Sequence, residues 1–286
     1  MNTHANPVGE FKIKRITADR CVDVEDRVAI EEPLEIQLSY GLQDKTQTNI
    51  SVTMRTPGND DELAVGFLFS EGILQSADQI KAIKSMAENE ILVELNDDIK
   101  PSLQKSERNF YTTSSCGVCG KSSIAAIRTV SLYQHGVNNI IIDSKILYGL
   151  EGIVRKQQSI FESTGALHAC GLFDLHGDFI MLREDVGRHN ALDKVIGTAL
   201  MNQQLPLTES ILFLSGRASF ELIQKASMAG IKIVAAVGAP SSLAVELAME
   251  FDMTLIGFLR NERFNIYCGW QRVGGKGEVE SLELKV

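Results

Sequence analysis

Three stretches of the chain are apolar almost without a break: residues 211–214 (Ile-Leu-Phe-Leu), 231–237 and 254–259. A strand with one face in water alternates polar and apolar side chains, whereas a strand covered on both faces does not. Residues 220–229, closed by Gly230, and residues 241–251 carry helical patterns and fall between these runs. Each face of such a sheet must be covered by helices, so strand–helix alternation at this spacing predicts a layered α/β domain with a substantially parallel sheet. Two more helices are expected upstream. One begins at Asp143 and turns Ile146, Leu147, Leu150, Ile153 and Val154 to one side. The other covers residues 190–201 and buries Ala191, Leu192, Val195, Ile196, Ala199 and Leu200.

The first hundred residues have a different character. Ile13, Ile16, Val22, Val24, Val28 and Ile30 sit in short extended stretches. Residues 34–38 and 50–54 alternate with period two, as half-buried strands do, and the polar residues 43–47 suit a hairpin turn between them. Pro57-Gly58-Asn59-Asp60 breaks the second strand. A helix through Leu63, Phe67 and Leu68 should follow, capped by Asn59 or Asp60 and ended by Gly72. Glu94, Asp97, Asp98, Lys100 and Pro101 read as a polar connection. The expected fold is α/β (α+β overall) in two domains: a β-rich part over residues 1–140 and an α/β part over residues 141–286.

Charge and cysteine content narrow the function. A net charge of −9 excludes a protein that coats nucleic acid or anionic membrane through surplus basic charge, although it leaves room for a local basic pocket. The five cysteines are an odd number in a chain long enough to build a real core. A disulfide framework is unnecessary, and a reducing compartment is expected. Residues 1–15 lack the apolar segment of a signal peptide, and no apolar run approaches the roughly 18 residues that span a bilayer. The expectation is a soluble, cytoplasmic protein.

The sharpest local motif is Thr113-Ser114-Ser115-Cys116-Gly117-Val118-Cys119-Gly120-Lys121. Two cysteines three apart among small residues describe accessible sulfur, and Lys121 would favour the thiolate. Nucleophilic sulfur chemistry, disulfide exchange and metal ligation all need a thiolate, so the motif leaves all three open. Structural zinc needs four ligands; the others would have to come from His168, Cys170 or Cys268, with no second CxxC in the chain. A thioredoxin-like dithiol would want a proline near the pair, and the loop has none. A zinc deaminase needs H-x-E before P-C-x-x-C; here the order is reversed and Cys170 stands at the Glu position of His168-Ala169-Cys170. Cys21 and Cys268 read as core thiols, His4 as part of a tail, and His135 and His176 as turn residues beside Gly136 and Gly177.

Two other features point to a ligand. Arg183-Glu184-Asp185-Val186-Gly187-Arg188-His189-Asn190 runs into a helix, and so many charges around one glycine must either pair or bind something. The apolar strands end in Ser215-Gly216-Arg217, Gly238-Ala239-Pro240-Ser241-Ser242 and Arg260-Asn261-Glu262-Arg263. In α/β sheets ligands lie beyond the carboxyl ends of the strands; small residues there admit a phosphate and arginines clamp it. A phosphorylated ligand, such as a nucleotide, is expected, although short strand–helix loops favour the same small residues for purely local reasons.

Taken in order, Ser114-Ser115-Cys116-Gly117-Val118-Cys119-Gly120-Lys121, the run Glu184-Asp185-Val186-Gly187-Arg188-His189-Asn190-Ala191-Leu192-Asp193-Lys194, and Ser215-Gly216-Arg217 resemble the FdhD family of formate dehydrogenase accessory sulfurtransferases. Glu32-Pro33-Leu34, Met54-Arg55-Thr56-Pro57-Gly58, Thr164-Gly165-Ala166-Leu167-His168-Ala169 and Gly257-Phe258-Leu259-Arg260 extend the resemblance over residues 30–268. It implies a sulfur carrier that takes persulfide sulfur from a cysteine desulfurase. The sulfur then goes to the bis-guanine-dinucleotide molybdenum cofactor, Mo-bis(molybdopterin guanine dinucleotide), before insertion into formate dehydrogenase. By motif, Cys116 would bear the persulfide and Cys119 would assist. Phe258, Leu259, Arg260, Asn261, Glu262 and Arg263 match the cofactor-binding stretch, and the phosphates would suit Arg217, Ser241 and Arg260. Asp185, Arg188 and His189 are expected to line the same site. The resemblance also implies a homodimer, a C-terminal three-layer domain like the cytidine deaminase fold, and no metal held by the protein's own side chains. The alternatives are a non-catalytic cofactor chaperone and a zinc or dithiol redox protein.

Overall fold

A computed structural model describes residues 6–42, 45–103, 133 and 140–274. β1 (Val8–Ile16) and β2 (Cys21–Ala29) form a two-stranded antiparallel sheet of their own, and none of their residues enters either core cluster. β3 (Glu32–Tyr40) and β4 (Thr46–Arg55) make the expected hairpin, with Tyr40 opposite Thr46 and Glu32 opposite Arg55. β5 (Ile80–Ala87) and β6 (Glu90–Leu95) complete this four-stranded sheet in the order β4-β3-β6-β5, with β6 parallel to β3. Glu94 therefore belongs to a strand and not to the polar connection. It is nearly buried because Lys84 (2.6 Å) and Lys45 both pair with its carboxylate.

α1 (Asp60–Ser70) starts after Asn59, whose left-handed backbone (φ 57°) turns its side chain away from a capping bond. Asp60, Asp61 and Glu62 face the positive end of the helix dipole instead. Gly72 ends the helix as expected: its φ of 75° lets Ile73 N–H reach back to the Leu68 carbonyl at 2.9 Å. After β7 (Ile142–Asp143), the Asp143 carboxylate caps α2 (Ser144–Gln157) by accepting from Lys145 N–H at 2.9 Å. The short α3 (Ser159–Thr164) follows.

The remaining elements are β8 (His168–Asp174), β9 (Phe179–Asp185), α4 (Arg188–Met201), β10 (Ser210–Leu214), α5 (Phe220–Met228), β11 (Ile233–Ala236), α6 (Ser242–Glu250), β12 (Thr254–Arg260), β13 (Arg263–Cys268) and β14 (Val273–Gly274). The three apolar runs are β10, β11 and β12, parallel and adjacent at the middle of a six-stranded sheet ordered β13-β12-β11-β10-β8-β9. β11 is shorter than its apolar run, because Ile231 N–H bonds to the Ala226 carbonyl (3.0 Å) and closes α5 with Gly230. Leu212, Leu214, Val234 and Leu255 face one core cluster, which includes α4, α5 and α6; Ile211, Phe213, Ile233 and Ile256 face the other, under α2. This is the three-layer α/β arrangement the sequence predicts.

On its far side, the α4 layer meets α1, and α1 in turn covers the four-stranded sheet. Gly66 and Gly197 sit at the crossing of the two helices. A Cβ on Gly66 would lie 1.8 Å from the Asp193 carbonyl oxygen, and one on Gly197 would lie 1.9 Å from that of Glu62. Among the described residues, no helix is long and apolar enough to cross a membrane.

Candidate functional site

β8 runs antiparallel to β10, so its first residues lie beside the carboxyl end of β10. β9 ends opposite the same point, with Asp185 in register with His168, and α4 begins there. One edge of the sheet therefore collects His168, Arg188, His189, the 215–217 loop, the 238–241 loop and Phe258. Backbone bonds stitch the loops together: Gly238 N–H donates to the Gly216 carbonyl (2.9 Å), Phe258 N–H to that of Gly238 (3.2 Å), and Ser241 N–H to that of Ala218 (3.0 Å). Two glycines permit the close approach. A Cβ on Gly238 would come within 2.9 Å of the Arg217 backbone, and one on Gly216 within 3.2 Å of His168 Nδ1. The result is a ledge of small residues with two arginines, two histidines and the α4 N-terminus along it. Ser241 is exposed on it and caps α6, its hydroxyl accepting from Ala244 N–H at 3.2 Å.

The charged run 183–190 divides into two groups. Its first three residues are structural. Arg183 embraces the Glu62 carboxylate through Nε and Nη2, the latter at 2.6 Å. Glu184 accepts from Ile160 and Phe161 N–H (3.1 and 2.9 Å) at the start of α3, although burial pushes its carboxyl pKa up against those bonds. Asp185 is 0 % exposed. It pairs with Lys194 at 2.7 Å and accepts from Thr56 N–H (3.2 Å), Gly187 N–H (2.8 Å) and Asn190 Nδ2 (3.1 Å). Against expectation it does not line the ledge; it lies beneath and fixes the turn into α4.

Arg188 and His189 open α4 beside the ledge, His189 being only 5 % exposed. His189 Nε2 is 3.3 Å from Ser219 Oγ and 3.7 Å from the Glu221 carboxylate. Arg188 Nε is buried with no hydrogen-bond partner. Among the described residues Arg188, Arg217, Arg260 and Arg263 make no ion pair, and Arg188 and Arg217 both act on His168. His168, half-buried among them, has its pKa lowered by burial first, then by Arg188, His189 and Arg217; Asp185 alone opposes this.

The β12–β13 segment continues the edge. Phe258 is 45 % exposed at φ 53°, where the β12–β13 register shifts. A left-handed phenylalanine is strained, and the bulge aims its ring outward beside Gly238. Arg260 and Arg263 face each other across the hairpin, with Asn261 (φ 52°) and Glu262 at its exposed tip. Leu259 is 1 % exposed and packs in the core, so, unlike its neighbours in the expected stretch, it is closed to a ligand.

Cys116 and Cys119, with the whole 113–121 motif, lie outside the described residues, as do His4 and His135. Cys21 is exposed and not a core thiol, because β2 belongs to a hairpin without a core. Cys170 and Cys268 are buried, and burial pushes both thiol pKa values up, so neither is an activated sulfur. His176 is exposed in the turn beside Gly177. Among the described residues no group of three or more His, Cys, Asp or Glu is placed to hold a metal ion. Sequence reasoning met His168 as a candidate zinc ligand, in the deaminase comparison and in the matched run 164–169, and gave it no role; its place over Gly216 became visible once β8 was found antiparallel to β10.

Comparison with known proteins agrees with this architecture. The model of the FdhD/NarQ family matches residues 29–274. A sulfur carrier protein FdhD from Mycolicibacterium paratuberculosis is 45 % identical over 273 residues, covering 92 % of this chain and 97 % of its own. One from Streptomyces avermitilis is 45 % identical over 258 residues (87 % and 89 %), and one from Picrophilus torridus 44 % over 252 residues (87 % and 93 %). A crystal structure described as "a putative formate dehydrogenase accessory protein from Desulfotalea psychrophila" superposes with a TM-score of 0.71 at 23 % identity, over 94 % of this chain and all of the other. At that identity the superposition supports the fold alone.

Proposed function

This chain belongs to the FdhD/NarQ family, and from that membership we propose that it is a sulfur carrier acting through a persulfide on Cys116. The Cys116 thiolate attacks the outer sulfur of a cysteine desulfurase persulfide; a new S–S bond forms and the desulfurase thiolate leaves. Release of that sulfur as sulfide needs two electrons, which Cys119 supplies by closing a disulfide with Cys116. The acceptor is Mo-bis(molybdopterin guanine dinucleotide), destined for formate dehydrogenase, and the carrier works as a cytoplasmic homodimer.

The observation that carries the ligand half of this reading is the unpaired positive charge on the ledge. Arginines without acidic partners, one with a buried and unsatisfied Nε, beside glycines that bring the backbone close, suit a diphosphate. Arg188, His189 and Arg217 would meet the phosphates, with Ser241 and the α6 N-terminus beside them. Phe258, held outward on its bulge, offers a purine base a stacking face, and Arg260 and Arg263 extend the positive edge. Asn261 and Glu262 supply polar groups at the hairpin tip, and Leu259 anchors the strand in the core beneath it.

The test separates carrier from chaperone. In cells lacking the native gene, Cys116→Ala should abolish formate dehydrogenase activity while the purified variant still folds. Arg260→Ala should lower activity severalfold with persulfide loading intact. Full activity of Cys116→Ala, with loss in Arg260→Ala, would favour a chaperone that binds the cofactor and carries no sulfur.

A further inference from the structure

His168 lies in the matched run 164–169 without an assigned role, and the fold gives it a place on the ledge. It opens β8, its imidazole lies over Gly216, and it is half-buried without a hydrogen bond to any described residue. The charged groups that face it are Arg188 and His189 from α4, Arg217 from the loop after β10, and Asp185 from β9. Asp185 is committed to Lys194, while Glu221 of α5 faces His189. Two arginines thus act on the ring, and the one opposing charge, Asp185, is already paired with Lys194.

We propose that His168 is a ligand-contacting residue that takes up one proton when a diphosphate binds the ledge. The inference rests on the reading of the ledge as a diphosphate site. A dianion on Arg188 and Arg217 reverses the sign of the field at the imidazole. The free ring nitrogen then takes a proton from solvent, and the new N–H donates to a phosphate oxygen; no other bond changes. When the ligand leaves, the proton returns to water. Burial, Arg188, His189 and Arg217 lower the imidazole pKa when no dianion offsets them, which is the state such an uptake requires.

The direction of the pH effect follows from linkage. The bound form holds the extra proton, so affinity falls as pH rises, by at most about tenfold per pH unit for one proton. GDP-mannose is a suitable probe, because its doubly esterified diphosphate has no phosphate group that titrates near neutrality. Calorimetry of the full-length protein at one pH, in two buffers of unlike ionisation heat, counts the protons. Net uptake approaching one proton is expected for the wild type, largely lost in His168→Gln and retained in His189→Gln. Affinity should decline between pH 7 and 9 in the wild type and stay flat in His168→Gln. The wild-type count needs no variant, and His168→Asn provides a second substitution if the first fails to fold. Binding without proton uptake, or uptake unchanged in both His168 variants, would overturn the proposal and leave the diphosphate reading standing. No binding to the wild type at all would overturn both.

Discussion

Charged residues inside the helical layers decide much of how this molecule holds together. Lys225 Nζ, buried between α5, α4 and α1, donates to both Asp193 oxygens at 2.9 Å and to Ser70 Oγ at 2.7 Å. Burial favours loss of its proton, but Asp193 and Glu71 outweigh that and raise its pKa. Lys194, the residue after Asp193 in α4, forms a second buried pair with Asp185. Lys225→Met strands the Asp193 carboxylate and should cost about 3–5 kcal/mol, read as a lower urea midpoint. Adding Asp193→Leu should recover much of the loss; no recovery would place the cost in packing, not in charge. None of this was legible in the sequence, where Asp193, Lys194 and Lys225 look like the solvent side of ordinary helices. Their burial depends on what lies against that side, and periodicity does not report it. The same limit split the 183–190 run: density of charge announced pairing or binding, and the fold assigned partners to Arg183, Glu184, Asp185 and His189 and left Arg188 without an ion pair among the described residues.

Among the elements, those whose own residues specify them were readable. β10, β11 and β12 declared themselves through runs buried on both faces, α2 through its Asp143 cap, and α1 and α5 through the glycines that end them. The elements that sequence reading passed over owe their state to partners. β8 is a strand because it lies against β10 and β9, and β6 because it pairs in parallel with β3 across a long connection. The α1–α4 crossing is another such case: two mid-helix glycines are each unfavourable by about 1 kcal/mol against alanine, yet here they are required. Gly197→Ala drives a methyl into the α1 backbone and should cost about 3 kcal/mol in denaturant unfolding. A neutral or stabilising Gly197→Ala would mean that the helices do not approach this closely.

At the scale of the molecule, one buried cluster runs from Leu34 in β3 through α1, α4 and α5 to Cys268 in β13, joining the two halves divided near residue 140. Secondary structure and Trp270 fluorescence should therefore report one unfolding transition in urea; two separated transitions would show that the halves are independent. The net charge of −9 belongs to the whole chain and coexists with a cationic ledge, because arginines at strand ends need only local freedom from acidic partners. In the proposed function that ledge would hold the cofactor, and sulfur on Cys116 is the chemistry it would serve. The most direct test is the intact mass of the protein after incubation with a cysteine desulfurase and free cysteine. The wild type should gain the mass of one sulfur, removable by a thiol reductant, and Cys116→Ala should gain none. Equal gain in both proteins, or none in the wild type, would contradict the account.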